Sequence, residues 1–454
     1  MGAIRVLSIA LAVAVLVSCG DNDASPVSAT RTDGCSEVAI NWEGDFSIAT
    51  PADIKALAGD GYGCFSIHGK LFIERTTLTD LAGLHNLYSV GGLRLHSNVA
   101  LTSLAGLHNL TRIEGELEIV GNRALTNVDG LHNLTRIRGK LEIRDNASLT
   151  SLAGLRNVAR IDGDLAIFGN EPLDYEERTQ RHAYSLGDEQ AARESAGSIF
   201  SDGEALSNLE GLHNLQSVGG SLKLGLPLVG YNFGLTTLEG LRSLQSIEGD
   251  LHIQHNFALT SLKGLHNLQS VGGELHILHN DLLTTLEGLN NLRSIGDNLS
   301  LYRNVSLTSL KGLDNLQSVG DALIVRDNRL LTSLKGLHSL QSVGRALMIW
   351  GSDALKDLTG LDQLAQIENL LIHKNNSLAS LKGLDNLQSV GSVLQIDGNR
   401  SLVSLDGLGN LQSVGEHLWI EDNPNLPDDL VRELAARVIE GGFEGEITIM
   451  GNRP

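Results

Sequence analysis

From Leu71 onward the chain repeats a unit of about two dozen residues, L-x-I-x-x-N-x-x-L-T-S-L-x-G-L-x-N-L-x-S-V-G-G. No other feature limits the fold as strongly. Its Gly-Leu step recurs at Gly83, Gly106, Gly130, Gly154, Gly211, Gly240, Gly264, Gly288, Gly312, Gly336, Gly360, Gly383 and Gly407. Most intervals are 24 residues and two are 23. A fixed period in the twenties marks stacked units, none of which can bury its apolar face alone. At 454 residues an ordinary chain would split into several domains, but a one-dimensional stack has no such limit. With 51 glycines and only 4% aromatics, the composition suits a core of identical layers filled by one medium-sized side chain.

Each position in the unit has a physical role. The L-x-I triplet, as in Leu117-Glu118-Ile119 and Leu251-His252-Ile253, alternates in and out like a short strand with one buried face. Stacked turn on turn, such strands make a parallel sheet rising about 4.8 Å per layer. An Asn follows three residues after the inward side chain, at Asn98, Asn122, Asn146, Asn170, Asn256, Asn280, Asn304, Asn328, Asn375, Asn399 and Asn423. Corner asparagines satisfy backbone groups that a bend would orphan, so these read as structural. The glycines fall where the chain turns or takes φ > 0.

The segment Cys35…Ala52-Asp53-Ile54-Lys55-Ala56-Leu57…Cys64-Phe65-Ser66-Ile67-His68-Gly69-Lys70-Leu71-Phe72-Ile73 resembles the start of the receptor L domain, and each later unit resembles that domain's turn. The resemblance covers about 35–454. It implies a mainly β protein, a right-handed parallel β-helix or leucine-rich solenoid, here of about thirteen turns. An L domain has about half as many. No cysteine-rich module or kinase accompanies the repeats, so receptor signalling is not implied. Bacterial leucine-rich-repeat lipoproteins are the nearer functional comparison. A C-terminal cap is expected over about 425–454, with a helix from Pro427 to Ile439 stopped by Gly441-Gly442 and a closing strand Glu446-Ile447-Thr448-Ile449.

The first residues carry one positive charge, Arg5, and then an apolar run from Val6 to Val17, the pattern of a secretion signal over 1–18. Leu16-Val17-Ser18-Cys19 resembles the lipobox of bacterial lipoproteins, which implies lipid attachment at Cys19 and a membrane anchor. Residues 19–34 are polar and aperiodic and read as a tether. Gly20, not Asp, follows the lipid cysteine, and by the sorting rule of that family this implies the outer membrane. Cys35 and Cys64 remain, an even pair in an oxidising compartment, for which a disulfide is the default. It would close a loop of about thirty residues, worth roughly 3 kcal/mol in the chain-entropy model, and cap the N-terminal end of the stack.

Between Gly154 and Gly211 the interval of 57 exceeds the period by 33 without breaking register on either side. The excess, about 174–206, reads as an excursion from one turn, helical over Asp188 to Ser195. It is either a functional feature or a tolerated loop. A five-residue excess falls near Gly225 to Tyr231.

Net charge of −20 argues against nucleic acid, which needs a basic stripe, and favours a monomer. No phosphate loop, nucleophile elbow or cofactor motif occurs in the sequence, so no enzyme and no cofactor are expected. The outward column of the sheet is more informative. It reads Arg94, Glu118, Glu142, Ala166, His252, His276, Ser300, Ile324, Met348, Leu371, Gln395, Trp419, and a second column adds Phe168, Tyr302, Trp350 and His373. Ile324, Met348, Trp350, Leu371 and Trp419 are expected to form an exposed apolar stripe, the usual mark of a contact site. The alternative is that the C-terminal cap or an insertion covers it. His252, His255, His276 and His279 come from successive turns and could gather around Zn²⁺ or Cu²⁺, but no carboxylate or cysteine evidently completes a set. Duplicated surface histidines are the plainer reading, and no metal is expected. These features point to a surface-anchored recognition or scaffold module for a protein or polysaccharide. The alternatives are a structural envelope component without a ligand and, less favoured, an enzyme with its site in 174–206.

Overall fold

The computed structural model describes residues 38–58, 63–170, 206–226 and 231–454. The segments expected to be signal and tether, with Cys19 and Cys35, lie outside them, as does 171–205, which holds all of the expected long excursion except Leu206. Among the described residues, 27 strands join one sheet in which every pairing is parallel, coiled into a β-solenoid of about 14 turns.

The L-x-I strands stack as expected. Leu141–Arg144 pairs with Leu165–Phe168, and Leu251–Gln254 with Leu275–Leu278, each with like residue opposite like. The Ser-Val step, to which the sequence reading assigned no strand, builds a second ladder of two-residue strands such as Ser217–Val218, Ser246–Ile247 and Ser270–Val271. Near the two ends the ladders merge into single long strands, Cys64–Glu74, Leu87–His96, Gln366–His373 and Ser389–Asp397. A β-branched residue flanked by small ones suits this pleated, half-buried position. Between the ladders run the leucines of the L-x-G-L-x-N-L step. With the strand residues they form one continuous core, almost all of it excluded from solvent.

The corner asparagines form a buried spine. Asn122 donates its backbone N–H to Asn146 Oδ1 at 3.0 Å and its Nδ2 to the Leu95 carbonyl at 2.7 Å and to Asn146 Oδ1 at 3.2 Å. The same three bonds recur along much of the stack, and they satisfy groups that would otherwise be buried without partners. Thr76, Asn232, Ser352 and Asn452 occupy the same corner, although the sequence pattern did not single them out.

The glycines of the Gly-Leu step have a more general reason than turning. A Cβ on Gly130 would sit 1.7 Å from the Leu104 carbonyl oxygen of the previous turn, and one on Gly312 would sit 2.0 Å from that of Leu286. Only Gly312 of the two has φ > 0, at +114°. Close approach of successive turns, shared by both, is therefore what excludes a side chain.

Helix α1 (Pro51–Ala58) closes one end, burying Ile54 and Leu57, with Ile54 packed over Gly83. Cys64 is disulfide-bonded, with its partner outside the described residues. Helix α2 (Asp428–Glu440) covers the other end with Val431, Leu434, Ala435 and Val438, and acids in its first turn suit the helix dipole. The strand Glu446–Met450 extends the sheet by one more parallel strand beyond His417–Glu421, and its Ile447 and Ile449 pack against the core beside the helix.

The register passes unbroken across the long excursion. Leu165 pairs with Leu222, and Leu206 is a core residue at 5% exposure whose N–H reaches the Asn170 carbonyl. Leu206, placed at the edge of the insertion by the sequence pattern, therefore belongs to the coil.

Candidate binding face

The pleat sends alternate side chains of each strand outward, so the sheet carries two parallel outward columns. The first runs Phe72, Arg94, Glu118, Glu142, Ala166, Lys223, His252, His276, Ser300, Ile324, Met348, Leu371, Gln395, Trp419, Thr448. In its C-terminal part the second runs Gln254, Leu278, Tyr302, Arg326, Trp350, His373, Asp397, Glu421.

In the N-terminal half these columns are closed by ion pairs. Glu118, almost fully buried, is held by Arg94 at 2.9 Å, His96 at 2.9 Å and Lys140 at 2.7 Å. Lys140 also reaches Glu142 at 3.0 Å. Burial works to raise the Glu142 carboxyl, but its bonds to Arg144 and Lys140 prevail and hold it below the usual range. Burial likewise opposes the charge on Lys140, and its bonds to Glu118 and Glu142 outweigh this and raise it. A charged face satisfied from within offers little unspent attraction to a partner.

The C-terminal half differs. Ile324, Met348 and Leu371 lie on three successive strands, half-buried against one another. Beside them Trp350 is 39% exposed. The Arg326 guanidinium stands 4.4 Å from the Trp350 ring centre and 5.2 Å from that of Tyr302, so it lies between two aromatic rings of the adjacent strands. His373 flanks the indole from the next strand, at 5.8 Å and tilted by 55°, and its Nδ1 bonds the Asp397 carboxylate. Trp419 is not contiguous with this stripe. Gln395 separates it from Leu371, and it stacks instead on His417 at 4.7 Å. Helix α2 packs on Ser413–Val414 and Glu446–Met450, at the end of the sheet beyond these strands.

The four histidines divide into two pairs. His255 and His279 stack at 4.6 Å but are buried at the corner, with Tyr231 and Phe257 against His255 and Tyr302 against His279. His252 and His276 stack at 4.8 Å on the sheet face. A carboxylate does stand beside them, contrary to the sequence reading, with Glu274 Oε2 3.0 Å from His276 Nε2. The signal was available, because Glu274 lies two residues before His276, immediately ahead of the strand Leu275–Leu278. Arg326 could have been found similarly, one period from both Tyr302 and Trp350.

No family model matches the chain, and no curated protein matches it. The likenesses to the receptor L domain and to bacterial lipoproteins thus remain expectations from the residues. Among the described residues no helix is long and apolar enough to cross a membrane.

Proposed function

We propose that this chain is a surface-anchored envelope lipoprotein, held by lipid on Cys19, that acts as a non-catalytic recognition module for a protein partner. The supporting observation is the Tyr302–Arg326–Trp350 stack beside Ile324, Met348 and Leu371. Trp, Tyr and Arg are the residues that dominate interface energies, and an apolar patch next to them supplies the surrounding dry surface. A protein is favoured over a polysaccharide because Trp350 has neighbours on both adjacent strands, Arg326 over one side and His373 beside the other. Arg326 already covers one face of the indole, and sugar rings stack on faces. The ion-paired N-terminal half supports a second, structural role for that part of the stack. An enzyme would have to draw its groups from 174–206, outside the described residues save Leu206.

Affinity capture from envelope extract with the full chain, beside the Trp350→Ser/Trp419→Ser variant, tests the proposal. Losing an anchor of this kind costs about 2 kcal/mol or more, so the variant is expected to bind its partner at least ~30-fold more weakly. Unchanged capture would remove the face as the site. Retention on purified envelope polysaccharide, abolished in the variant, would instead favour the glycan. An exported Cys19→Ala chain that still partitioned with membranes would refute the lipid anchor.

A further inference from the structure

We propose that His252, Glu274 and His276 form a binding site for a divalent transition-metal ion, with Zn²⁺ as the fitting case. Among the described residues they are the one group of three potential ligands in which a ligand atom of each lies within 4.8 Å of the other two. His252 and His276 sit opposite one another on adjacent parallel strands, so backbone pairing fixes both rings on the same patch of sheet. Their planes lie 10° apart. Two imidazoles and one carboxylate are a donor set that borderline-soft ions accept, leaving one coordination position for water or an external group.

The carboxylate is oriented by a further shell. Asn298 Nδ2 donates to Glu274 Oε1 at 2.9 Å, which leaves Oε2 facing His276 Nε2. The Glu274 backbone N–H donates to Asp250 Oδ1 at 3.0 Å, fixing the turn that carries it. Asp250 Oδ2 stands 4.0 Å from His252 Nε2, near enough to engage the vacant position through a water. Such support is what distinguishes a metal site from adjacent histidines alone.

One further feature favours loading. His252 Nε2 is buried and makes no hydrogen bond, so it is a donor atom without a protein partner. Lys223, next in the column, leans toward Asp164 at 3.7 Å and not into the site. At Zn–N distances of about 2.05 Å, tetrahedral ligand atoms lie about 3.4 Å apart. The cluster must therefore close by at most about 1.4 Å, a distance within the reach of side-chain rotation.

The test is titration of the tag-free full chain with Zn²⁺ alone, followed by calorimetry, with Co²⁺ as a spectroscopic substitute. The expected result is one saturable equivalent and the visible absorption of four-coordinate Co²⁺. His276→Gln should abolish both. The nearly isosteric Glu274→Gln should weaken binding by at least ~10-fold, and Asn298→Ala by about 10-fold through loss of orientation. His279→Gln, in the buried corner pair, should leave binding unchanged. Circular dichroism and melting of each variant separate loss of the site from loss of the fold, and Glu274→Gln decides the matter if the histidine variants unfold. Absence of saturable uptake, or uptake indifferent to Glu274→Gln and His276→Gln in folded protein, would overturn the assignment.

Discussion

The asparagine spine makes Ser352→Asn a stabilising substitution. In a regular turn the corner Asn accepts two bonds at Oδ1 from the Asn one turn earlier. It gives a third from Nδ2 to a strand carbonyl, as Asn304 does to Ile277 at 2.7 Å. Ser352 stands at this corner, fully buried, and its Oγ makes no hydrogen bond. Its backbone is in register nonetheless, because its N–H donates to Asn375 Oδ1 at 3.0 Å. Asn328, one turn earlier, keeps its Nδ2 bond to the Leu301 carbonyl but receives no acceptor from a side chain at 352. Restoring three neutral hydrogen bonds at about 1 kcal/mol each, less about 1 kcal/mol for ordering the longer side chain, leaves a gain of about 2 kcal/mol. In a stack whose units couple only to their neighbours, the gain should be local. Native-state hydrogen exchange is the suitable assay, with the amides of Asn328 and its turn exchanging about 30-fold more slowly. Unchanged or faster exchange there would show that the spine does not carry the corner's stability, or that the packing around Ser352 cannot take an amide.

Two further perturbations follow from the same geometry. Gly130→Ala places a Cβ 1.7 Å from the Leu104 carbonyl oxygen and should destabilise by about 3 kcal/mol or more, whereas Gly409→Ala, with nothing within 4 Å, should be close to neutral; urea unfolding of both checks this. Acid should weaken the N-terminal turns: burial raises the carboxyls of Glu116, Glu142 and Asp162, but bonds to Lys70 on Glu116, to Arg144 and Lys140 on Glu142, and to Arg160 and Arg136 on Asp162 prevail and hold each below its ordinary value of 4.5, 4.5 or 3.8. A carboxylate depressed on folding contributes stability that is complete above its unfolded pKa and is lost as pH falls through the folded one. The urea midpoint should therefore drop on going from about pH 6 to about pH 3, and drop less in a Glu116→Gln/Glu142→Gln chain, while an equal drop would remove these groups from the account.

What could be read from the sequence follows the physics of repetition. Because every turn reuses one set of contacts, Leu117, Ile119 and Asn122 each report on a dozen equivalent sites, and period alone yields strands, core and spine. The outward columns were legible for the same reason. What period cannot give is an interaction within one turn. Glu274, just ahead of the strand Leu275–Leu278, reaches His276 two residues further on. The separation of His255 and His279 from the sheet pair depends on the chain taking φ near +55° at each, which turns those rings into the corner. Trp419 stacks on a residue of its own strand, His417, which no column predicts.

The same independence of turns makes the long excursion removable, and this separates the loop from the sheet face as the seat of function. Asn170-Glu171-Pro172 followed directly by Leu206 reproduces the N-x-x-L corner of Asn122-Arg123-Ala124-Leu125. In both corners the leucine N–H points to the asparagine carbonyl, at 3.0 Å in Asn122–Leu125 and 3.5 Å in Asn170–Leu206. Excising 173–205 should therefore leave a standard turn. Each doubling of loop length costs only about 0.6 kcal/mol, so shortening the connection from about 35 residues to two, about four doublings, should stabilise by at most about 2.5 kcal/mol. The expected outcome is a folded chain with unchanged circular dichroism, a melting temperature equal or slightly higher, and partner capture through Trp350 intact. A chain that unfolds would show that 173–205 contributes to the core. A folded chain that no longer binds would move the recognition site from the sheet face to the excursion.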